Sequence, residues 1–246
     1  MNILICNDDG IFSEGLKTLA KFLSEKNKVY VMAPDGNRSA YSHSMSFYKK
    51  LKVINVEQNA NYVSYSLSGT PADCVRFGTE FFKDVNFDLI VSGINIGSNA
   101  GTDTLYSGTV SACFEACILS IPSIALSCVT DKNCEIDYKA LYKNLSTVFP
   151  DLLKNASKNY VLNVNFPNKE CENAVKYCKL GVQLYSDRYV LNDDGTYMLV
   201  GDILKNDKND EDCDVEWLRK GYITVTPLVT DRTAYAELEK LKGIAK

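Results

Sequence analysis

The first 33 residues have the pattern of a strand, a helix and a second strand. Ile3–Cys6 is an unbroken apolar run, which is typical of a strand buried on both faces of a parallel sheet. Apolar residues then recur at helical spacing and predict a helix over Glu14–Ser24. Val29–Ala33 is a second apolar run. A strand, a helix and a strand within about thirty residues predict a right-handed βαβ unit.

The rest of the chain continues this alternation and then changes. Two alternating stretches, 46–56 and 62–68, predict an antiparallel hairpin with a loop at 57–61. Thr70, Pro71 and Asp73 stand at the N-cap, N1 and N3 positions of a predicted helix, and we favour a structural role for the last two. Further strands are predicted at 88–92, 123–127, 160–165 and 221–227, and helices at 71–82, 110–117, 138–154 and 234–241.

The C-terminal third predicts an extension to this core. Residues 174–185 and 196–204 alternate again, and Asn192–Gly195 between them predicts the turn of a hairpin arm. The acidic stretch 206–214 is predicted to be a solvated loop without ligands. The fold class is therefore α/β: a Rossmann-like, mostly parallel sheet flanked by helices, with a C-terminal antiparallel hairpin extension. We expect one domain over residues 1–246, with a core in 1–167 and, in 168–246, an arm, last strand and helix that serve oligomerisation.

Composition narrows the function classes. The chain has 46% hydrophobic and 24% charged residues, as in ordinary globular proteins. Its net charge of −4 argues against binding of a nucleic-acid polymer. No apolar run is long enough to span a membrane, and no signal peptide precedes the first strand, so we expect a cytoplasmic protein. Nine scattered cysteines indicate free thiols, and a single histidine, His43, excludes His-rich metal sites.

Polar residues follow the first two predicted strands. Asp8 and Asp9 come directly after the first strand, where open α/β sheets bind ligands. Two adjacent carboxylates repel each other unless a cation or a shared proton lies between them, although one aspartate that caps the next helix would also explain the pattern. The loop after the second strand leaves the same sheet edge. There Ser39 could give a hydroxyl oxygen to a hard cation, and Arg38 a charge to a phosphate.

A glycine-rich segment, residues 93–109, follows the strand at 88–92. Its glycines, interleaved with polar residues such as Asn95, allow backbone amides to approach a ligand closely. Ser107, Gly108 and Thr109 then begin a helix, whose free amides and positive dipole end favour phosphate. The segment lacks the Walker lysine and the G-x-G-x-x-G order, so it is a weak signal by itself. With Asp8 and Asp9 at the same sheet edge, it predicts a phosphate site.

Ordered sequence blocks carry a family resemblance over essentially the whole chain. They are Asn7–Gly10, Asn37–Ser39, Gly69–Val75, Asp88–Asn95, Tyr106–Val110, Asn163–Pro167 and Gly221–Leu228. On these blocks the chain resembles the SurE (survival protein E) family of metal-dependent 5′/3′-nucleotidases.

The resemblance implies one divalent metal ion per subunit, held by Asp8, Asp9, Ser39 and Asn95. It also implies dephosphorylation of nucleoside monophosphates, with short polyphosphate accepted by some members, and a homodimer or homotetramer that exchanges C-terminal elements. One residue departs from the family pattern, because Ala40 stands where the family usually has glycine. If this position has a positive φ, we expect Ala40 to strain the loop by about 1 kcal/mol.

The chemistry of these residues agrees with that reading but leaves alternatives open. Carboxylate, hydroxyl and amide oxygens suit Mg²⁺ or Mn²⁺ better than zinc. We predict Asp8, Asp9 and Asn95 as catalytic residues, and Asn95, Ser107, Gly108 and Thr109 as the phosphate-binding ones. Metal-activated water is our preferred nucleophile, and Asp8 itself is the alternative. A phosphatase for another small phosphoester or short polyphosphate, and a nucleotide-binding module without turnover, are the competing functions.

Overall fold

The apolar runs of the sequence form the strands of one large sheet. A computed structural model describes residues 1–58, 61–130, 133, 135–171, 175–206 and 208–244. The strands are β1 (Asn2–Cys6), β2 (Lys28–Pro34), β3 (Val53–Gln58), β4 (Tyr62–Leu67), β5 (Leu89–Ile96), β6 (Ser123–Cys128), β7 (Val161–Phe166), β8 (Lys176–Tyr177), β9 (Leu184–Tyr185), β10 (Arg188–Leu191), β11 (Tyr197–Val200), β12 (Ile203–Leu204) and β13 (Thr224–Leu228).

Helices connect most of the central strands. They are α1 (Glu14–Ser24), α2 (Pro71–Phe81), α3 (Gly108–Ile118), α4 (Tyr138–Asn155), α5 (Asp214–Arg219) and α6 (Tyr235–Ile244), and a 3₁₀ helix covers Gly101–Leu105. The predicted helix starts at Glu14, Pro71 and Tyr138 are confirmed. Thr70 and Asp73 form the predicted capping box. In the described part of the chain, no helix is both long and apolar enough to cross a bilayer.

Side-chain alternation along β1 explains the three-layer architecture. Ile3 and Ile5 point to one face of the sheet, where they pack in a cluster with apolar residues of α1 and α4. Leu4 and Cys6 point to the other face and pack with residues of α2 and α3. Both faces of β1 are therefore buried, as its unbroken apolar run predicts.

Sheet topology places the loops that follow β1, β2 and β5 side by side. The strand order is β3-β4-β2-β1-β5-β6-β7-β13-β8. β1 is hydrogen-bonded in parallel to β2 on one side and to β5 on the other. The chain therefore changes direction across the sheet at β1, and the carboxyl ends of β1 and β5 flank a topological switch point. The predicted α/β fold, with its mostly parallel sheet, is confirmed.

The C-terminal segment differs in detail from its prediction. The hairpin arm pairs Arg188–Leu191 with Tyr197–Val200, so its first strand begins later than the predicted stretch 174–185, of which residue 174 lies outside the described residues. Lys176–Tyr177 instead joins the main sheet beside β13. The prediction of a solvated loop over 206–214 is wrong at Asp214, whose side chain is fully buried; residue 207 lies outside the description. Backbone amides explain this burial, because those of Gly101 and Gly181 donate to the Asp214 carboxylate.

Two smaller predictions concern the hairpin at the other sheet edge and the cysteines. β3 and β4 pair antiparallel as predicted, although the first strand begins at Val53. Residues 59–60 of the intervening loop lie outside the described residues. All cysteines within the described residues have free thiols, as predicted, and the ninth, Cys134, lies outside them.

Candidate functional site

The loop after β1 is built by the side chain of Asn7. Its carboxamide nitrogen donates to the Gly10 carbonyl at 3.1 Å and to the Ser13 hydroxyl at 2.7 Å, and its oxygen accepts from the Gly10 amide. Gly10 has φ +101°, and a Cβ there would lie 3.0 Å from the backbone of Gly36 in the next loop. Asn7 and Gly10 therefore shape the turn that presents Asp8 and Asp9. Sequence reasoning did not assign this role to Asn7.

Asp8 is a buried carboxylate in contact with the start of α3. It is 3% exposed, and its Oδ1 accepts a hydrogen bond from the Thr109 hydroxyl at 2.5 Å. Burial raises the pKa of Asp8, an effect that the Thr109 hydroxyl and the amides of Gly108 and Thr109 partly oppose. Gly108 allows this close approach, because a Cβ at that position would lie 2.8 Å from the Asp8 Cβ. Thr109, whose amide is the predicted phosphate donor, also binds Asp8 through its hydroxyl.

Asp9 lies beside Asp8 and faces the end of β5. Its Oδ2 accepts from the Ile96 amide at 3.2 Å. Burial, followed by the negative charge of Asp8, raises the pKa of Asp9 to about 6. In the described part of the chain, neither carboxylate forms an ion pair. This corner of the molecule therefore holds uncompensated negative charge.

The loop after β2 lies against the first loop and carries Ser39. The Arg38 amide donates to the Asp8 carbonyl at 2.7 Å, and the Ser39 amide donates to the Asn37 carboxamide oxygen at 2.9 Å. The Arg38 guanidinium pairs with Asp35 at 2.6 Å, although the sequence suggested a phosphate contact. These contacts hold the loop of Ser39 against the loop of Asp8, and Ser39 itself is exposed.

Ala40 has φ +61°, the positive φ for which the family pattern of glycine at this position predicts strain. Glycine has no penalty there, so Ala40→Gly is expected to raise the free energy of unfolding by about 0.5–1 kcal/mol, measured by urea denaturation. Ala236→Gly, in the exposed helix α6, is the control and should not raise it, because alanine has no strain to lose in a helix. Equal destabilisation by both changes would contradict the strain at Ala40.

The far end of the Ser39 loop is anchored to α2 and α3. His43 Nε2 lies 2.9 Å from Oε2 of Glu115, a buried residue that also pairs with Arg76. Burial raises the pKa of Glu115, but the hydrogen bond of His43 and the charge of Arg76 lower it overall. The capping box contributes as well, since the Thr70 hydroxyl donates to the Ser44 carbonyl at 2.7 Å. The single histidine is thus a loop anchor, which its lone occurrence in the sequence could not indicate.

Asn95 is the second-last residue of β5, where the strand leaves regular pairing. The register between β5 and β6 shifts between Ser92 and Asn95, and the Gly93–Ile94 peptide is cis. The Asn95 carboxamide nitrogen donates to the Gly97 carbonyl at 2.8 Å, which fixes the orientation of the amide. A register shift of this kind at a strand end re-aims side chains. Here the result is that Asn95 lines the same cleft as Asp8.

A buried asparagine network supports the glycine-rich loop from below. The Asn99 amide donates to Asn165 Oδ1 at 2.7 Å, and Asn163 donates to the Asn99 carbonyl at 2.8 Å. The Asn99 side chain donates to the Ser127 hydroxyl at 2.8 Å. Asn163 and Asn165 are fully buried on β7, so the segment Asn163–Pro167 positions the loop without reaching the cleft. The sequence flagged this segment but gave no role to it.

Four of the predicted residues line one cleft of about 510 Å³: Asp8, Ser39, Asn95 and Ser107. Ser107 is the N-cap of α3, and its hydroxyl accepts from the Val110 amide at 3.0 Å, which leaves its hydrogen free to donate. The other predicted residues adjoin this lining. Gly108 and Thr109 contact Asp8, and Asp9 is hydrogen-bonded to the end of β5. The structure therefore gathers all the predicted site residues at one sheet edge.

The donor atoms at this edge fit a hard divalent cation. Two carboxylates, a hydroxyl and a carboxamide offer only oxygen, the ligand type that Mg²⁺ and Mn²⁺ favour. A cation would also compensate the adjacent charges of Asp8 and Asp9, for which the described residues provide no ion pair. No cluster of three His, Cys, Asp or Glu side chains suited to a metal occurs among the described residues. Serine and asparagine oxygens would therefore have to complete the set.

Comparisons with known proteins agree with this geometry. Residues 3–187 match the family described as survival protein SurE. Proteins named 5′-nucleotidase SurE are 41% identical in Clostridium botulinum strain Loch Maree and 43% identical in strain Alaska E43, each covering 99% of both chains. The crystal structure of the SurE protein from Aquifex aeolicus has a TM-score of 0.83 at 33% identity over 100% of both chains. On its fold, its site and these matches, the chain belongs to the SurE family.

Proposed function

We propose that this protein is a metal-dependent phosphomonoesterase that hydrolyses nucleoside 5′- and 3′-monophosphates to a nucleoside and phosphate. The observation that carries the proposal is the convergence of Asp8, Ser39, Asn95 and Ser107 on one cleft, with Asp9 directly behind it. The name of the relatives, 5′-nucleotidase, favours the same reaction. A phosphomonoester needs charge neutralisation and an oriented nucleophile, and this set of residues can supply both.

Asp8, Asp9, Ser39 and Asn95 would hold one Mg²⁺ or Mn²⁺ per subunit. When bound, the ion would neutralise phosphate charge and lower the pKa of a coordinated water. The unpaired carboxylates and the all-oxygen donor set support this assignment. Thr109 contributes indirectly, because its hydrogen bond to Oδ1 fixes the rotamer of Asp8. We propose Asp8, Asp9 and Asn95 as the catalytic residues.

The remaining phosphate oxygens would be bound at the start of α3. The Ser107 hydroxyl has a hydrogen to donate, and the amides of Gly108 and Thr109 lie in the first turn of the helix, where its dipole favours anions. The Asn95 carboxamide lines the same cleft and completes the set. These groups would orient the phosphorus for attack and stabilise the charge on its oxygens.

Water is the nucleophile that we favour. Its oxygen would form the new bond to phosphorus, and the ester P–O bond would break to release the nucleoside hydroxyl. Asp8 is poorly suited to attack phosphorus itself, because it is 3% exposed and its Oδ1 is already bound to Thr109. A bound cation would keep Asp9 ionised beside Asp8, so this carboxylate is assigned to holding the cation rather than to proton transfer.

We also propose that the protein forms a homodimer or homotetramer through its C-terminal elements. α6 has no buried residue, and Leu241 and Ile244 are more than half exposed. The arm exposes Tyr189 and Tyr197 in the same way. Exposed apolar side chains concentrated in the last third of a chain are typical of subunit contacts. Sedimentation of the full chain distinguishes the dimer and the tetramer from a monomer.

Phosphate release from 5′- and 3′-nucleoside monophosphates tests the proposed reaction. We expect turnover with Mn²⁺ or Mg²⁺, none after EDTA treatment, and recovery when the cation is restored. Cation binding without turnover across the nucleotide panel would instead indicate another phosphoester or a binding role. Absence of cation binding by calorimetry would overturn the assignment of the site itself.

A further inference from the structure

Residues 42–46, which we call the strap, continue the loop of Ser39 towards the helices. The strap begins three residues after Ser39 and is bound at once to the chain that leads into α3. The Ser42 hydroxyl donates to the Leu105 carbonyl at 2.7 Å, and the Ser42 amide donates to the Tyr106 carbonyl at 3.0 Å. The loop of Ser39 is therefore held by contacts that lie outside the loop itself.

The backbone after Ser39 needs such contacts. Ala40 and Ser42 have φ values of +61° and +52°, in the left-handed region that is unfavourable for residues other than glycine. Conformations of this kind persist only where the surrounding structure holds them. Ser39 is exposed, so its own burial does little to fix it. The position of its hydroxyl therefore depends on the strap.

One contact of the strap joins two side chains. His43 Nε2 lies 2.9 Å from Oε2 of Glu115, which belongs to α3 and has only 4% of its side chain exposed. A carboxylate buried to this extent needs partners, and His43 and Arg76 both pair with it. The contact connects the loop of Ser39 to the body of the helix whose first turn would bind phosphate.

Glu115 has no part in the proposed chemistry. It does not line the cleft, and its two oxygens are paired with His43 and Arg76. Ser39, in contrast, would be a neutral ligand, and the value of a neutral ligand depends on how well it is positioned before the cation arrives. A contact that holds the loop in place can therefore raise cation affinity without touching the cation.

We propose that His43 and Glu115 are positioning residues, which hold Ser39 where a divalent cation requires it and so set the cation affinity of the site. The inference rests on the proposed function, which assigns the cation to Ser39 and its neighbours. It gives the single histidine a role that is exerted through another residue. Loss of the contact should therefore weaken cation binding, and only while Ser39 is present.

The test is a double-mutant cycle on the Kd for Mn²⁺, measured by titration calorimetry on the metal-free protein. His43→Ala leaves Arg76 paired with the buried Glu115, so this variant should fold. We expect His43→Ala and Ser39→Ala each to weaken binding by about tenfold. Because His43 acts through Ser39, the double variant should bind no more weakly than Ser39→Ala alone, whereas independent effects would multiply to about 100-fold.

Two further variants show whether the lost contact is the cause. His43→Gln can still donate an amide hydrogen bond to Glu115, so it should bind Mn²⁺ nearly as tightly as the wild type. Tyr177→Phe is the matched control, because it removes a side-chain hydrogen bond of 2.5 Å to Asp151 that does not belong to the cleft. Its Kd should equal that of the wild type.

The outcomes separate this inference from the proposed function. Wild-type affinity in His43→Ala, or effects that multiply in the double variant, would overturn the positioning role while phosphate release still supported the reaction. No phosphate release from nucleotides, with the expected cycle intact, would count against the proposed function and leave the positioning role standing. Absence of Mn²⁺ binding to the wild type would overturn both.

Discussion

Asp8→Asn is expected to lower kcat for a nucleoside monophosphate by about 10³-fold or more. The carboxamide has nearly the same shape and can still accept the hydrogen bond of Thr109, so the fold should persist. What it removes is the negative charge at the most buried ligand position of the site. We therefore also expect a weaker Kd for Mn²⁺, measured by titration calorimetry on the metal-free protein.

Two comparisons make the Asp8 result specific. Asp84→Asn, at an exposed position, removes one negative charge far from the cleft and should leave kcat unchanged. Turnover must be measured at cation concentrations that saturate each variant, so that weaker binding is not mistaken for slower chemistry. Wild-type kcat in Asp8→Asn at matched occupancy would contradict the central role of this carboxylate.

The second large effect is expected from a single methyl group. In Gly108→Ala the new Cβ would lie 2.8 Å from Asp8 Cβ, 2.9 Å from Asp8 Oδ2 and 3.0 Å from Pro71. Contacts this short force Asp8 to move, and a displacement of about 1 Å at a reacting centre costs about 10²-fold in rate. We expect kcat/KM to fall by about that factor, and cation affinity to fall with it.

Gly243→Ala is the matched control for the added methyl group. It makes the same change inside α6, where nothing lies within 4 Å of the new Cβ. No residue of α6 lines the cleft, and alanine is the better helix former, so this variant should be fully active. If Gly108→Ala kept the kcat/KM and the cation affinity of Gly243→Ala, the tight packing of Asp8 against α3 would not matter for catalysis.

The sequence determined the strands and helices of this protein, because local hydrophobic patterns and helix capping decide them. The unbroken apolar run Ile3–Cys6 could only be buried on both sides, and the structure packs its alternate residues against two helical layers. Thr70, Pro71 and Asp73 begin α2 at the predicted residue, because capping depends on atoms three residues apart. Turn glycines and strand ends likewise placed Asp8, Ser39 and Asn95 at one sheet edge.

Contacts between distant segments were decided only by the tertiary structure. The bond between Thr109 and Asp8 joins residues 101 positions apart, and the one between Tyr185 and Asp103 joins residues 82 apart. Local patterns carry no information about such pairs. For the same reason, the sequence predicted the Thr109 amide as a phosphate donor but could not indicate that the Thr109 hydroxyl binds Asp8.

Asp214 shows most clearly that local sequence patterns do not predict burial. Its acidic, turn-rich neighbourhood indicates a solvated loop, yet the side chain is fully buried because backbone amides of Gly101 and Gly181 satisfy both its oxygens. A carboxylate can be buried where the fold brings donors to it, and those donors lie 113 and 33 residues away. The sequence by itself therefore determined the strands, the helices and the edge where the chemistry is located. The tertiary structure decided which side chains share that edge, because long-range packing and hydrogen bonding set their distances and charges.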